Sequence, residues 1–393
     1  MYARIAAKRL RYLAEQFPAV LILGARQVGK TTLARSAFEP FPYCDLEDPS
    51  LQALFIEDAR FQLEARAKPT LILDEAQQVP AVFAALRGII DQHRGQMGRF
   101  ILLGSAQPTL VKQVSESLAG RVGILELSAL TATEVHCQTT DDYQQLWLTG
   151  GFPDALQAAR RGGSFRDWWE GYLRTYVERD LPSMGISAEP LLLRRLLTML
   201  AHQQGGMLNY EQLAGSLGVS AKTVQRYVDI LEQSFLLRRL PPYFRNVGKR
   251  LVKAPKVYLR DTGLLHHLLN IDSLETLNNH PVRGASWETF VIEDLLRREA
   301  IQYPYSQAYF WRTSNGAEVD LLLERGDERH LVEVKTARAL SSHLARSLSS
   351  ILDDTQGSSA TIIDQGEGED PLNAQVSRKG FLSTLNWLPY ASG

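Results

Sequence analysis

A strand-like apolar run, Ala19-Val20-Leu21-Ile22-Leu23, passes directly into Gly24-Ala25-Arg26-Gln27-Val28-Gly29-Lys30-Thr31, and then into the helix-compatible Thr32-Leu33-Ala34-Arg35-Ser36-Ala37. The middle segment fits G-x-x-x-x-G-K-[ST] at every fixed position, in the strand–loop–helix setting that the pattern requires. The alternation of strand and helix patterns continues to about residue 135. This predicts a parallel sheet covered on both faces, with a ligand at the carboxyl ends of its strands. Glycines let backbone N–H groups turn inward around a β-phosphate, and the helix N-terminus adds positive potential. Lys30 can reach β- and γ-phosphates, and the Thr31 hydroxyl can ligate Mg²⁺. Gly24, Ala25, Arg26, Gln27, Val28, Gly29, Lys30, Thr31 and Thr32 are the expected ATP-binding residues.

A Gly-rich turn ahead of a helix also arises by chance, but a second motif argues against chance here. Leu71-Ile72-Leu73-Asp74-Glu75 reads as a buried parallel strand that delivers two carboxylates at its C-terminal end. Asp74 is placed to hold Mg²⁺ through water, and Glu75 to orient and deprotonate an attacking water. A third strand, Phe100-Ile101-Leu102-Leu103, ends in Gly104-Ser105-Ala106-Gln107. Ser105 is the expected sensor of the γ-phosphate, with Gln107 in reserve. Arg121 follows a helical stretch and precedes the strand-like Val122–Leu127. An arginine there suits a finger presented to a neighbour's nucleotide in a homo-oligomer, and a plain surface arginine would look the same.

With these pieces assembled, the chain resembles the prokaryotic AAA-type ATPases that carry a C-terminal domain of unknown function related to the PD-(D/E)XK nucleases. The resemblance rests on Gly24 to Leu33, Leu71 to Gln77, Leu103 to Ala106, Gly120-Arg121 and Leu127-Ser128. It continues through Gly150-Gly151-Phe152-Pro153, Tyr176 to Leu181, Lys256 to Leu264, Trp287-Glu288, and Trp311 to Lys335. It implies an ATP-binding and ATP-hydrolysing enzyme. The expected fold is α/β: an AAA-type P-loop NTPase sheet, a helical and winged-helix region, and an α/β PD-(D/E)XK nuclease-like domain.

Bulk properties fit such a chain. Its 393 residues suffice for two or three cores, and 45% hydrophobic with 22% charged residues is ordinary for a globular protein. The two cysteines, Cys44 and Cys137, lie far apart without metal-ligand spacing, which suits a reducing cytoplasm rather than a disulfide scaffold. No apolar run approaches a membrane span. The basic, amphipathic start, Met1 to Phe17, reads as a helix packed on the first sheet. The expected divisions are an ATPase domain over 1–135, a helical lid or linker over 136–204, a winged helix over 205–272 and the nuclease-like domain over 273–393. Trp168, Trp169, Tyr172, Leu173, Tyr176 and Val177 recur at helical spacing and read as core. Arg179-Asp180 reads as a contact to nucleotide or to a neighbouring domain, or equally as a local ion pair.

Residues 205–260 hold ten Lys/Arg against three Asp/Glu, a local +7 in a chain whose net charge is −1. Leu208–Ala214 and Ala221–Leu236 read as a helix–turn–helix around Gly218 and Ser220, with Lys222, Thr223, Gln225 and Arg226 facing outward. This favours DNA bound through its phosphates, against a winged helix used only as a lid or for protein contacts. Farther on, Asp320 in one strand and Glu333-Val334-Lys335 in the next form the PD-(D/E)XK pattern. Glu333 and Lys335 share a face, and Glu288 approaches from a helix. Glu288, Asp320 and Glu333 are expected to hold Mg²⁺, with Asp320, Glu333 and Lys335 as the catalytic set. Two functions stay open: a DNA-associated ATPase with metal-dependent nuclease activity, or a nucleotide-regulated switch acting through a protein partner with an inactive nuclease-like domain.

Overall fold

The computed structural model describes residues 2–105, 113–114, 116–183, 189–244, 253–314, 316–338 and 342–386. The chain divides into two compact units, Met1–Leu130 with Gln233–Phe235, and Thr131–Glu232 with Leu236–Gly393.

In the first unit, strands β1 (Ala19–Gly24), β2 (Tyr43–Asp45), β3 (Leu71–Asp74), β4 (Phe100–Ser105) and β5 (Val122–Glu126) form one sheet in the order β2-β3-β4-β1-β5. Every pairing is parallel. All six residues of β1 and all four of β3 are buried. That is why both read as unbroken apolar runs rather than alternating ones: helices cover both faces of a parallel sheet. The helices are α1 (Ala6–Gln16), α2 (Lys30–Phe38), α3 (Pro49–Arg66) and α4 (Ala81–Gln92). On one face Phe55 and Leu63 of α3 and Phe83, Leu86 and Ile89 of α4 pack with Leu21, Leu73 and Leu102 of the strands. Asp48 caps α3 by accepting from the N–H groups of Ser50 and Leu51, and Pro49 takes the first helical position, where its missing N–H costs nothing. Helix α1 lies against β1 and β5 through Leu10, Leu13 and Ala14. The register aligns the carboxyl ends: Gly24 lies opposite Ser105, Asp74 opposite Leu103, and Asp45 opposite Asp74.

The second unit begins with helices. Thr140–Thr149, Pro153–Arg160 and Phe165–Thr175 lead into a π-helical turn, Tyr176–Asp180, and Pro190–His202 follows. Trp169, Tyr172, Leu173, Tyr176 and Val177 are buried, and Phe152 lies edge-on to Trp169 at 4.8 Å. The aromatic stripe is core apart from Trp168, which is half-buried. Arg179 Nε meets Asp180 Oδ1 at 3.2 Å, a local ion pair. Next come helices Tyr210–Leu217 and Ala221–Gln233, each begun by a capping side chain: Asn209 accepts from Gln212 N, and Ser220 from Thr223 N. An antiparallel hairpin of β6 (Leu237–Leu240) and β7 (Lys256–Leu259) follows.

The last part is a mixed six-stranded sheet. Its strands are β8 (Gln307–Arg312), β9 (Glu318–Arg325), β10 (Glu328–Val334), β11 (Ser359–Asp364), β12 (Glu369–Pro371) and β13 (Val376–Gly380), in the order β12-β13-β11-β10-β9-β8. Helix Ser342–Thr355 packs on β10, β11 and β13. Helix Arg283–Gln302 carries buried Trp287, Phe290, Val291 and Leu295. Both cysteines are buried and unpaired. Among the described residues no helix is long and apolar enough to cross a membrane.

Candidate functional site

The nucleotide loop leaves β1 at Gly24. A Cβ there would come within 2.2 Å of the Leu127 carbonyl oxygen, so only glycine fits. Gly29, at φ +94°, turns the chain into α2. Lys30 is buried, and its Nζ donates to the carbonyls of Gly24 at 3.0 Å and Ala25 at 2.9 Å. The ammonium thus ties both ends of the loop together. Burial lowers its pKa to about 8, against the opposing pull of Glu75 and Asp74. Thr31 Oγ1 donates to Asp74 Oδ2 at 2.7 Å, and Tyr43 OH donates to the same oxygen at 2.9 Å. A hydroxyl and a carboxylate at this separation are a donor set that suits Mg²⁺.

Glu75 follows at φ +49°, a left-handed backbone that a glutamate adopts only when its surroundings impose it. The Gln77 side-chain amide donates to its carboxylate. Burial raises the Glu75 pKa, partly offset by Lys30. The sequence pattern thus placed Lys30, Thr31, Asp74 and Glu75 in one cluster. It missed three supports: Tyr43 on Asp74, Gln77 on Glu75, and Arg4. The Arg4 guanidinium donates to Val28 O at 2.7 Å and Ser128 O at 2.6 Å, pinning the loop from outside. These contacts link positions far apart in the chain, and no local pattern announces them.

Ser105 ends β4 opposite Gly24, at the carboxyl edge of the sheet. Its side chain and Gln107 lie outside the described residues. Arg121 sits at the other edge, immediately before β5. Its fork is taken by Asp91, with Nε to Oδ1 at 3.0 Å and Nη2 to Oδ2 at 3.0 Å, and its Nη1 donates to Ala119 O. It lines a cleft of about 330 Å³ with Gln16, Phe17, Ile90 and Met97. It lies at the opposite end of the sheet from its own chain's loop, and the finger expected of it was toward a neighbour's nucleotide.

In the second unit a different cluster forms around the six-stranded sheet. Asp320 Oδ2 accepts from Val334 N at 2.9 Å, which fastens β9 to β10. Lys335 Nζ pairs with Glu333 Oε1, and Glu333 Oε2 is buried without a hydrogen-bond partner. Glu288 approaches from its helix as expected, but its Oε1 is taken by Tyr258 OH at 2.6 Å and Lys256 Nζ at 3.2 Å. Lys256 Nζ also reaches Glu318 Oε1 at 2.6 Å and Asp320 Oδ1 at 3.5 Å. Burial alone would lower the Lys256 pKa; Glu288, Asp320 and Glu318 outweigh it and hold the group charged. Burial, and then Asp320, push the Glu288 and Glu333 carboxyls up to about 7.

Among the described residues no group of three or more His, Cys, Asp or Glu is arranged to hold a metal ion. Glu288 and Asp320 instead share the ammonium of Lys256. Part of the basic segment is engaged within the chain, while Lys253 is exposed. Arg238 and Arg260 pair with Glu293, Arg239 pairs with Asp229 and Glu232, and Lys256 is buried. Arg245, Lys249 and Arg250 lie outside the described residues. Lys222 and Arg226 are exposed on their helix, as expected.

Known proteins agree with the first unit. Over 375 residues the chain is 41% identical to the "Uncharacterized protein Rv2008c" of Mycobacterium tuberculosis, covering 95% of this chain and 82% of that protein. The chain belongs to that protein's family. Residues 16–136 match the family model described as an AAA domain. Residues 140–275 and 283–379 match two domains of unknown function, DUF8612 and DUF4143. An uncharacterized protein of Haemophilus influenzae is 24% identical over 258 residues, 58% of this chain and 63% of that one. Among solved structures, the Walker-type ATPase of Pyrococcus abyssi is similar over 68% of this chain and 96% of its own, at 14% identity and a TM-score of 0.45. By the family model, this member of the family carries an AAA domain over residues 16–136.

Proposed function

We propose that the chain binds and hydrolyses ATP at the carboxyl edge of its five-stranded sheet. The observation that carries this reading is the 2.7 Å bond from Thr31 to Asp74 beside the buried Lys30. Lys30 would leave its two carbonyls for the β- and γ-phosphates, where both partners are charged and the bonds are stronger than those to neutral carbonyls. Thr31 and Asp74 would hold Mg²⁺, which neutralises charge on the phosphates. Glu75 would orient the attacking water and take its proton, and a carboxyl pushed up by burial is the better base for it. Ser105 would sense the γ-phosphate from the next strand. Arg121 would act only across an oligomer, after release from Asp91. Steady-state ATP turnover by the wild-type chain and by Glu75→Gln tests the reading. Equal rates for the two would overturn the role of Glu75, and no turnover by the wild type under any nucleic-acid or partner condition would overturn the enzyme.

A second proposal concerns the rest of the chain. The mixed sheet, with Asp320 on β9, Glu333 and Lys335 at the end of β10, and Glu288 on an adjoining helix, supports a PD-(D/E)XK nuclease-like fold. The capped helix pair and the hairpin after it support a winged helix. The pairing of Glu288 and Asp320 with Lys256 favours a domain that does not cleave, and so a nucleotide-regulated switch that works through a protein partner. Asp320-dependent cleavage of duplex, single-stranded or branched DNA in Mg²⁺ or Mn²⁺ would overturn that choice in favour of a nuclease.

A further inference from the structure

We infer that the Lys256 ammonium is the resident cation of the Glu288–Glu318–Asp320 cluster and that it keeps a divalent ion out. The inference rests on the nuclease-like reading of the six-stranded sheet, and adds to it what fills the ion's place.

Lys256 is not a surface lysine that has drifted inward. It opens β7, where it pairs with Leu240 of β6 on one side and bridges Met207 on the other. Leu208 N donates to Pro255 O at 2.9 Å and Val257 N to Gly206 O at 2.9 Å, so the backbone on both sides of it is fixed. The period-2 geometry of a strand puts Lys256 and Tyr258 on one face. Both side chains reach Glu288 Oε1. The Lys256 side chain is only 3% exposed, and Nζ lies 5.6 Å from the centre of the Phe310 ring.

The charges point the same way. Nζ sits 2.6 Å from Glu318, 3.2 Å from Glu288 and 3.5 Å from Asp320. Mg²⁺ needs oxygens at about 2.0–2.1 Å and gives up water reluctantly, so it requires those carboxylates to itself. An ammonium fixed among them denies it both the space and the charge, and two cations at one focus repel. Arg312 Nη1 adds a further positive charge on Glu318 Oε2 at 3.3 Å. The second oxygen of Glu333 is buried without a hydrogen-bond partner, and its other oxygen pairs with Lys335. One carboxylate oxygen binds Mg²⁺ weakly.

Mn²⁺ titration of the full, nucleotide-free chain, followed by the paramagnetic resonance of the free ion, decides the matter. Asp320→Asn marks whether bound ion belongs to this cluster. The wild type is expected to show no Asp320-dependent Mn²⁺. Lys256→Met is expected to bind one Mn²⁺ per chain at least about tenfold more tightly than the wild type, since a neighbouring like charge has been removed. That binding should vanish in Lys256→Met/Asp320→Asn. If Lys256→Met folds poorly, a melting temperature that rises with Mn²⁺ in the single variant and not in the double one serves the same purpose. Asp320-dependent Mn²⁺ binding by the wild type overturns the inference and leaves the nuclease-like reading standing. A folded Lys256→Met that ignores Mn²⁺ overturns both.

Discussion

On the proposed reading nucleotide binding turns on Lys30, and its surroundings say what its loss would do. Its Nζ satisfies two loop carbonyls without a phosphate. Lys30→Ala should therefore leave the sheet folded while ATP binding weakens by at least about tenfold, the loss of one or more charge-assisted bonds. Calorimetric titration of the variant with ATP reads this directly, and wild-type affinity would mean the loop is not the site. Glu75→Gln should bind ATP normally and lose about 10²–10⁴ in turnover, the usual contribution of a positioned base. At this scale the sequence was readable where chemistry and chain order coincide. Gly24 to Thr31, Asp74 and Glu75 are local patterns, and the structure brings them into one cluster. Lys256 shows the opposite case. Counted along the chain it is one more cation of a basic segment; in space it belongs to three acids that follow at residues 288, 318 and 320. A count of charges has no access to pairing.

At the scale of elements, continuous apolar runs announced the buried parallel strands of the first sheet, and capping residues announced the helix pair from Tyr210 to Gln233. Strand order was not readable, because it is set by which helices return the chain across which face. Neither was the six-stranded size of the second sheet, because β11 to β13 carry no chemical motif. Two predictions belong here. Arg121 links the residue before β5 to Asp91 of α4. Arg121→Ala should leave ATP affinity unchanged and, if the arginine serves a neighbouring copy, lower turnover by about 10³ or more. Mixing it with Lys30→Ala should then restore part of the rate, and unaltered turnover would leave Arg121 as a partner of Asp91 alone. The second concerns the exposed face of helix Ala221–Gln233. Replacing Lys222 and Arg226 by Ala should flatten the salt dependence of any duplex binding by about one unit of slope for each lost phosphate contact. Binding whose slope stays the same would assign that face to a protein partner.

The whole molecule should be sensitive to acid, for a reason placed deep in its second unit. His266 is buried between the Leu148 carbonyl and Ser286, and His330 between Ser359 and Thr361. Burial holds their pKa values at about 4 and about 3, well below the ordinary 6.5. The unfolded chain takes up protons that these folded histidines refuse. Stability from this source is therefore complete above pH 6.5 and falls as pH drops toward 4 and 3. Each histidine contributes up to about 1.4 kcal/mol per pH unit across that window. Urea midpoints at a series of pH values should show the decline, and His330→Asn should make it shallower; an identical decline in the variant would assign the acid sensitivity elsewhere. The two charged clusters differ in a plainer way. A cation held between Thr31 and Asp74 comes from solution and can be stripped by a chelator. The one among Glu288, Glu318 and Asp320 is written into the polypeptide, present once per chain from the moment of synthesis, and no chelator, dilution or competing metal can exchange it.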